Sequence, residues 1–335
     1  MLLLALGMIL AAAELFTNAI EWLGDKLNLS HGVVGSILAS VGTALPETMI
    51  PIIAFIAAAK AADPHAGQDI GIGAVIGAPF MLGTLAMAVT GIACWAYARM
   101  GLRDAELRPN IQVAKRDLRY FLIVFPLALL ASLLPQAAKP VVGVVLIGLY
   151  LAYVWQTIKA ENGADDGGDH DALKPLIFAP GRTDGPGWFI LSTQLVASLS
   201  LLIGGAHLFV VHVTHVASFF GVPPLILALV LAPIATELPE KFNSVVWIRA
   251  RKDTLALGNI TGAMVFQSSI PPAFGLFMSP WTLSRPPVVS SVLAIASTLL
   301  IVWSIHRHNA LKLRFLLAGG GFYVAFIVAV IFFLR

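Results

Sequence analysis

Charged residues are scarce in this sequence. Asp, Glu, Lys and Arg make up 12% of its 335 residues, hydrophobic types make up 58%, and mean hydropathy is +0.87. So little polar material cannot cover a water-soluble globule of this length, which excludes that class and indicates an integral membrane protein. Cysteine is almost missing too: the lone Cys94 excludes an internal disulfide. The first apolar run has no basic leader and no small-residue cleavage site, and it carries Glu14, so it reads as a retained helix rather than a signal peptide. Hydrolase motifs are absent as well, with no His-Glu-x-x-His, no Gly-x-Ser-x-Gly and no aspartate pair on facing spans. His207, His212 and His215 share one span at a spacing unsuited to zinc. The acidic run Asp165, Asp166, Asp169, Asp171 lacks the order and terminal Glu of an EF-hand loop. These absences argue against an enzyme and against a bound cofactor.

Apolar runs of about 20 residues, the length that crosses a bilayer core of roughly 30 Å, fall near 2–24, 31–59, 70–98, 119–136, 140–158, 188–217, 224–248, 254–279, 287–305 and 313–334. Runs of that length exclude a β-barrel, whose strands alternate over about ten residues. With ten spans, sixteen of the 21 basic residues fall in the loops of one face, among them Lys26, Arg99, Arg103, Lys159, Arg249 and Arg314. Only Lys60, Lys139, Arg285 and Arg335 fall on the other face, so the positive-inside rule puts both termini outside the cytoplasm, in a multi-pass protein of the cell membrane. This charge therefore reads as orientation and lipid contact, not nucleic-acid binding. The oligomeric state is left open, a monomer being sufficient.

The informative stretch is Ala235-Thr236-Glu237-Leu238-Pro239-Glu240, which places two acids and a proline inside an apolar span. An acid at bilayer centre costs roughly 2.5–3.5 kcal/mol on insertion scales, so ionisable groups at that depth mark candidate sites. Pro239 lacks an N–H and frees the carbonyl of Ala235, and carbonyl, carboxylate and hydroxyl oxygens together suit a hard cation. The pattern also occurs as Gly42-Thr43-Ala44-Leu45-Pro46-Glu47, 193 residues earlier. Superposing the two motifs also aligns Glu14 with His207 and, once the longer loop around Asp63-Pro64-His65 is allowed for, Gly73–Ala78 with Gly258–Ala263. The chain thus reads as two five-helix units, residues 1–160 and 188–335, joined by a cytoplasmic linker over 161–187 that reads as a solvated connector. An odd number of spans per unit inverts the second, and inverted repeats meeting at broken helices near the midplane are a transporter architecture. Gly73 to Gly77 and Gly258 to Gly262 have small-xxx-small spacing, expected to pack against the motif helices.

On these two motifs, each followed by a Gly-Asn-x-x-Gly-like stretch that is clearest in Asp253–Gly262, the whole chain resembles the sodium/calcium exchanger family. The resemblance implies an all-α membrane fold of ten spans in two inverted repeats with broken helices at the midplane. It also implies a secondary active cation antiporter working by alternating access, with calcium, sodium or protons as the transported ions. Glu47 and Glu240 become the central cation ligands, Thr43 and Thr236 lend oxygen, and the first and sixth spans gate. The chain departs from the family pattern. Where polar ligands are usual in the family on the helix that follows each motif, it has Ala78, Leu82, Ala263 and Gln267, so only Gln267 remains polar, while Glu237 adds an acid. Lys241 is placed to pair with Glu237 at i,i+4 or to compete with the transported ion. Glu14 and His207 are candidates for gating or proton exchange, histidine titrating near neutral pH. A passive channel with the same oxygen-lined constriction, and a divalent cation/proton exchanger that does not use sodium, are the alternatives.

Overall fold

The computed structural model describes residues 1–27, 40–61, 64–161, 174–180, 186–308 and 310–333, and the side chains at 40–46, 161, 235, 238–243 and 333 lie outside that description. Among the described residues the chain is all-helical, and its one β contact is an isolated bridge between Leu107 and Leu311. The long helices are α1 (Leu2–Lys26), α2 (Ser40–Lys60), α3 (His65–Arg99), α4 (Ile111–Leu130), α5 (Lys139–Glu161), α6 (Trp188–Phe220), α7 (Pro224–Arg249), α8 (Asp253–Met278), α9 (Arg285–His308) and α10 (Leu313–Phe333).

Local chemistry sets several boundaries. Asn110 opens α4 by accepting from the Gln112 and Val113 amides at 3.0 and 3.4 Å. Gly221 closes α6 at φ +65°, a conformation that costs a residue without a Cβ little, and Pro224 starts α7 with its φ preset for a first turn. Among the described residues, six helical stretches are long and apolar enough to cross a membrane: Leu2–Lys26, His65–Arg99, Gln136–Ala160, Trp188–Phe220, Arg285–His308 and Leu313–Phe332. Of the remaining helices, α8 falls below that threshold, as does α4, which carries Lys115, Arg116, Asp117 and Arg119 near its start. A helix enclosed by other helices is selected for partners and not for lipid, so its composition alone does not reveal a span.

The breaks expected at Pro46 and Pro239 are not there. Helix runs continuously from Ser40 to Lys60 and from Pro224 to Arg249. A proline removes one ladder donor, but the bonds on either side persist, and in an apolar medium an unwound segment would strand more backbone groups than the proline does. The irregularity lies instead in α3, where Leu82–Ala86 forms a π turn; the Gly83 carbonyl accepts from the Ser297 hydroxyl at 2.7 Å.

Helices α2, α3, α7 and α8 form a core in which each touches the other three. Gly73 and Gly77 set the closest approach, because a Cβ at either would fall on a carbonyl of α7, that of Leu225 or Leu229. The second glycine pair does not repeat this contact: space around Gly258 is open and Gly262 meets only the Tyr153 hydroxyl, 3.5 Å from where its Cβ would be. Helices α4, α5, α9 and α10 surround the core, while α1 and α6 pack along each other and against α2 and α7. The linker is not wholly solvated. Leu176 is buried among Ala19, Trp22 and Leu191, since this segment has an apolar side chain and main-chain groups that α1 and α6 can satisfy.

Candidate cation site in the four-helix core

The two motifs fall on α2 and α7, the crossing helices of the core. Glu47 is buried on α2 at 5% exposure, and Thr236 and Glu237 are buried on α7 at 3% and 2%. Gln267, 1% exposed on α8, donates through Nε2 to Glu237 Oε1 at 3.1 Å. A charge-assisted bond of this kind orients the carboxylate and leaves the amide oxygen as a further acceptor. The Thr236 hydroxyl donates to the Ala232 carbonyl at 3.0 Å, so its proton is engaged within α7 while its oxygen lone pairs stay available. The structure therefore joins Glu237 to Gln267 and places Glu47 on the adjoining helix. Side chains of Thr43, Glu240 and Lys241 lie outside the described residues, so the expected Glu237–Lys241 pairing does too. The described partner of Glu237 is across the helix pair.

Hairpin register extends the geometry. Glu237 pairs with Gln267 and, about two turns on, Ser244 accepts from Asn259 Nδ2 at 3.3 Å. That antiparallel register brings position 240 level with Ala263. In the first hairpin Gly71 lies against Phe55, and the same counting sets Glu47 level with Ala78. Ala78 and Leu82 are fully buried and apolar.

Three polar clusters escaped the sequence reading. Asp117 on α4 accepts from the hydroxyls of Thr261 on α8 at 2.7 Å and Tyr153 on α5 at 3.1 Å, with Arg116 at 3.1 Å. Arg103, in the α3–α4 loop, forks onto both Asp253 carboxylate oxygens at 2.8 and 2.9 Å and donates to the Ile248 carbonyl at 2.6 Å. Hydrogen bonding to Asp253 holds its guanidinium above the usual arginine range. Asn18 and Gln194 meet at 3.0 Å beneath the linker. An acid adjacent to an arginine just ahead of an apolar run, as in Arg116-Asp117, was the one available signal. The others depend on contacts between residues more than 140 positions apart.

The pattern of the sodium/calcium exchanger protein family matches residues 1–159 and 191–335, leaving out only the linker and the start of α6. The chain belongs to that family. Membership makes it a membrane cation antiporter. Among its relatives, a provisionally assigned antiporter, CaxA of Alkalimonas amylolytica, is 26% identical over 290 residues, covering 83% of this chain and 80% of the relative. The inner membrane protein YrbG of Escherichia coli (strain K12) is 24% identical, covering 79% and 75%. Among solved structures, the H+/Ca2+ exchanger CAX superposes with a TM-score of 0.71 at 16% identity, covering 99% of this chain and 83% of that one. The sodium-calcium exchanger NCX_Mj gives 0.56 at 18% identity, covering 98% and 99%. At these identities the superpositions establish a shared fold. Within this exchanger, Glu14 lies on α1 and His207 on α6, and both are exposed.

Proposed function

We propose that this antiporter exchanges calcium, or another divalent cation, against protons or sodium by alternating access, with Glu47 and Glu240 as central ligands. Thr43, Thr236, Glu237 and Gln267 complete the set. The observation that carries this reading is the concentration of acid against a shortage of neutral oxygen: Glu47, Glu237 and Gln267 are buried in the four-helix core while Ala78 and Leu82 offer no ligand. A divalent ion gains twice the Coulomb attraction of sodium from the same carboxylates, so few ligands with several acids favour one divalent ion over several sodium ions. Once that ion leaves, carboxylates in a water-poor core need another positive partner, which a proton supplies with the least space.

Ten spans in two inverted repeats account for the contacts. Exchanging α1–α5 with α6–α10 turns the α3–α7 contact into α8–α2, α4–α8 into α9–α3, and α5–α8 into α10–α3, all of which occur. The loops follow suit. The Leu107–Leu311 bridge joins the α3–α4 loop to the α9–α10 turn, and its counterpart joins α8–α9 to α4–α5 through Gln136 donating to the Ser279 carbonyl and Lys139 to that of Pro280. Cations over aromatic rings, Lys26 on Trp188, Arg99 on Trp95, Lys159 on Trp155 and Arg314 on Phe315, occur at helix ends that this topology puts on one face. With the excess of basic residues there, that face is cytoplasmic and both termini are extracytoplasmic.

Helices α1 and α6 are the moving pair. Their seam with the core is apolar, built from residues such as Ile9, Ala12, Phe209, Ile50 and Ala228. Among the described residues, the side-chain hydrogen bonds they make beyond their own helices run to each other and to 174–178, none to α2, α3, α7 or α8. A dispersive seam slides more readily than a hydrogen-bonded one. Glu14, His207 and Lys241 take gating or proton-coupling roles, the first two because they are exposed on the moving pair.

The test is calcium uptake into proteoliposomes under sodium, potassium or proton gradients imposed one at a time, with membrane potential clamped. Uphill uptake driven by a pH gradient without sodium is expected. Strict sodium dependence would overturn the proton coupling, and downhill flux alone would indicate a channel.

A further inference from the structure

The seam between α1 and α6 is held very differently along its length. Over most of it the contact is apolar: Ala5, Ile9 and Ala12 face Leu202, Ala206 and Phe209, and a Cβ at Gly205 would lie 3.0 Å from Ile9 Cγ1. Such a contact holds two helices together and does little to fix their register, because one apolar surface slid along another still buries similar area. At the linker end the chemistry changes. Gln194 Nε2 donates to the Leu15 carbonyl at 2.9 Å and to Asn18 Oδ1 at 3.0 Å, tying the helices directly.

The same two side chains grip the main chain of the linker. Asn18 Nδ2 donates to the carbonyls of Lys174 and Pro175 at 3.4 and 3.3 Å, and Asn18 Oδ1 accepts from the Ile177 amide at 3.0 Å. Gln194 Oε1 accepts from the Phe178 amide at 2.9 Å, while Trp22 Nε1 donates to the Lys174 carbonyl at 2.9 Å. Leu176 fills the space between, 1% exposed. Every polar atom of the Asn18 and Gln194 side chains is thereby engaged, with Gln194 fully buried.

We propose that Lys174–Phe178 is a strap that locks α1 and α6 in register, so that the pair travels as one body, with Asn18 and Gln194 as its positioning residues. The strap rests on the antiport reading above, in which this pair moves against the core. A slide of one helix along the other by a single residue, about 1.5 Å, would misalign each amide with its main-chain partners, and a buried polar group left unmatched opposes that slide. Motion of the joined pair against the core breaks none of these bonds.

The test uses the full chain with Cys94→Ala. Combined Asn18→Ala and Gln194→Ala should slow calcium exchange in proteoliposomes about tenfold or more by uncoupling the moving pair. Equilibrium calcium binding to the purified protein, measured by calorimetry, should stay within about twofold, since neither residue touches the ion site. Ile9→Cys with Gly205→Cys then supplies a substitute lock: oxidised, it should leave exchange intact in the otherwise unaltered chain and restore it in the double variant, with reduction reversing the rescue. Should the double variant not fold, Trp22→Phe removes one donation to the Lys174 carbonyl and should show the same effect more weakly. Exchange at the unaltered rate in the double variant, or exchange arrested by the oxidised pair in the unaltered chain, would overturn the strap. If the unaltered chain shows no coupled exchange the antiport reading fails; the strap is then judged by bridging yield, which should fall when Asn18 and Gln194 are removed.

Discussion

Glu237 adds an acid to the motif on α7, and its carboxylate is held by Gln267 across α7 and α8. Replacing Glu237 by Gln keeps the bond partner and removes the charge. Calcium exchange should then weaken while thermal unfolding in detergent is nearly unchanged, and Glu47→Gln should abolish exchange on the same terms. Normal transport by either variant would place the ion elsewhere. Arg103 and Asp253 make a contrasting case, since both side chains are buried, at 3% and 5% exposure, and neither belongs to the proposed ion site. Asp253→Asn would strand a buried guanidinium, a change that costs about 3–5 kcal/mol when one partner of such a pair is lost. A double Arg103→Met, Asp253→Leu variant should regain most of it, as read by thermal unfolding. The arginine is shifted upward on folding, so its contribution is fully present at neutral pH and is lost only as strongly alkaline pH passes through the folded value.

At the scale of the helix, α3 and α7 owe their close crossing to glycine. Gly77→Ala would put a methyl group on the Leu229 carbonyl and 2.8 Å from the Pro233 ring, and backbone cannot yield as a side chain does. We expect Gly77→Ala to lower both the unfolding temperature and the exchange rate, because α7 carries the proposed ligands. Gly258→Ala, with open space around it, should instead be neutral or stabilise by up to about 1 kcal/mol through helix propensity. Equal losses at the two positions would contradict this asymmetry. Both pairs have the same spacing in sequence; which one presses on a backbone depends on what packs there. The prolines teach a related lesson. Pro46 and Pro239 read as breaks from their missing donors, yet α2 and α7 stay helical through them, and the π turn at Leu82–Ala86 carries no proline.

Across the whole molecule, orientation is the property to test. Cysteines introduced at Asn162 and at Pro135, with Cys94→Ala, should react with an impermeant thiol reagent from opposite sides of intact cells, Pro135 from outside. Labelling of both from outside would refute the inverted topology. Apolar runs, acids, the two matching motifs and the basic asymmetry were readable because bilayer thickness, the cost of buried charge and periodic apolar runs act on local sequence. Glu47, Thr236 and Glu237 were singled out on that ground and Gln267 through the family resemblance, and each is buried in the core. The sequence by itself thus determined that this is a polytopic membrane exchanger with acids at depth. Only the tertiary structure decided that Glu237 answers to Gln267, that Asp117 gathers α4, α5 and α8, that Arg103 clamps Asp253, and that part of the linker straps α1 to α6. The physical reason is that a hydrogen bond is decided by distance and direction in space, and residues up to 214 positions apart carry no mark of each other until the helices between them have packed.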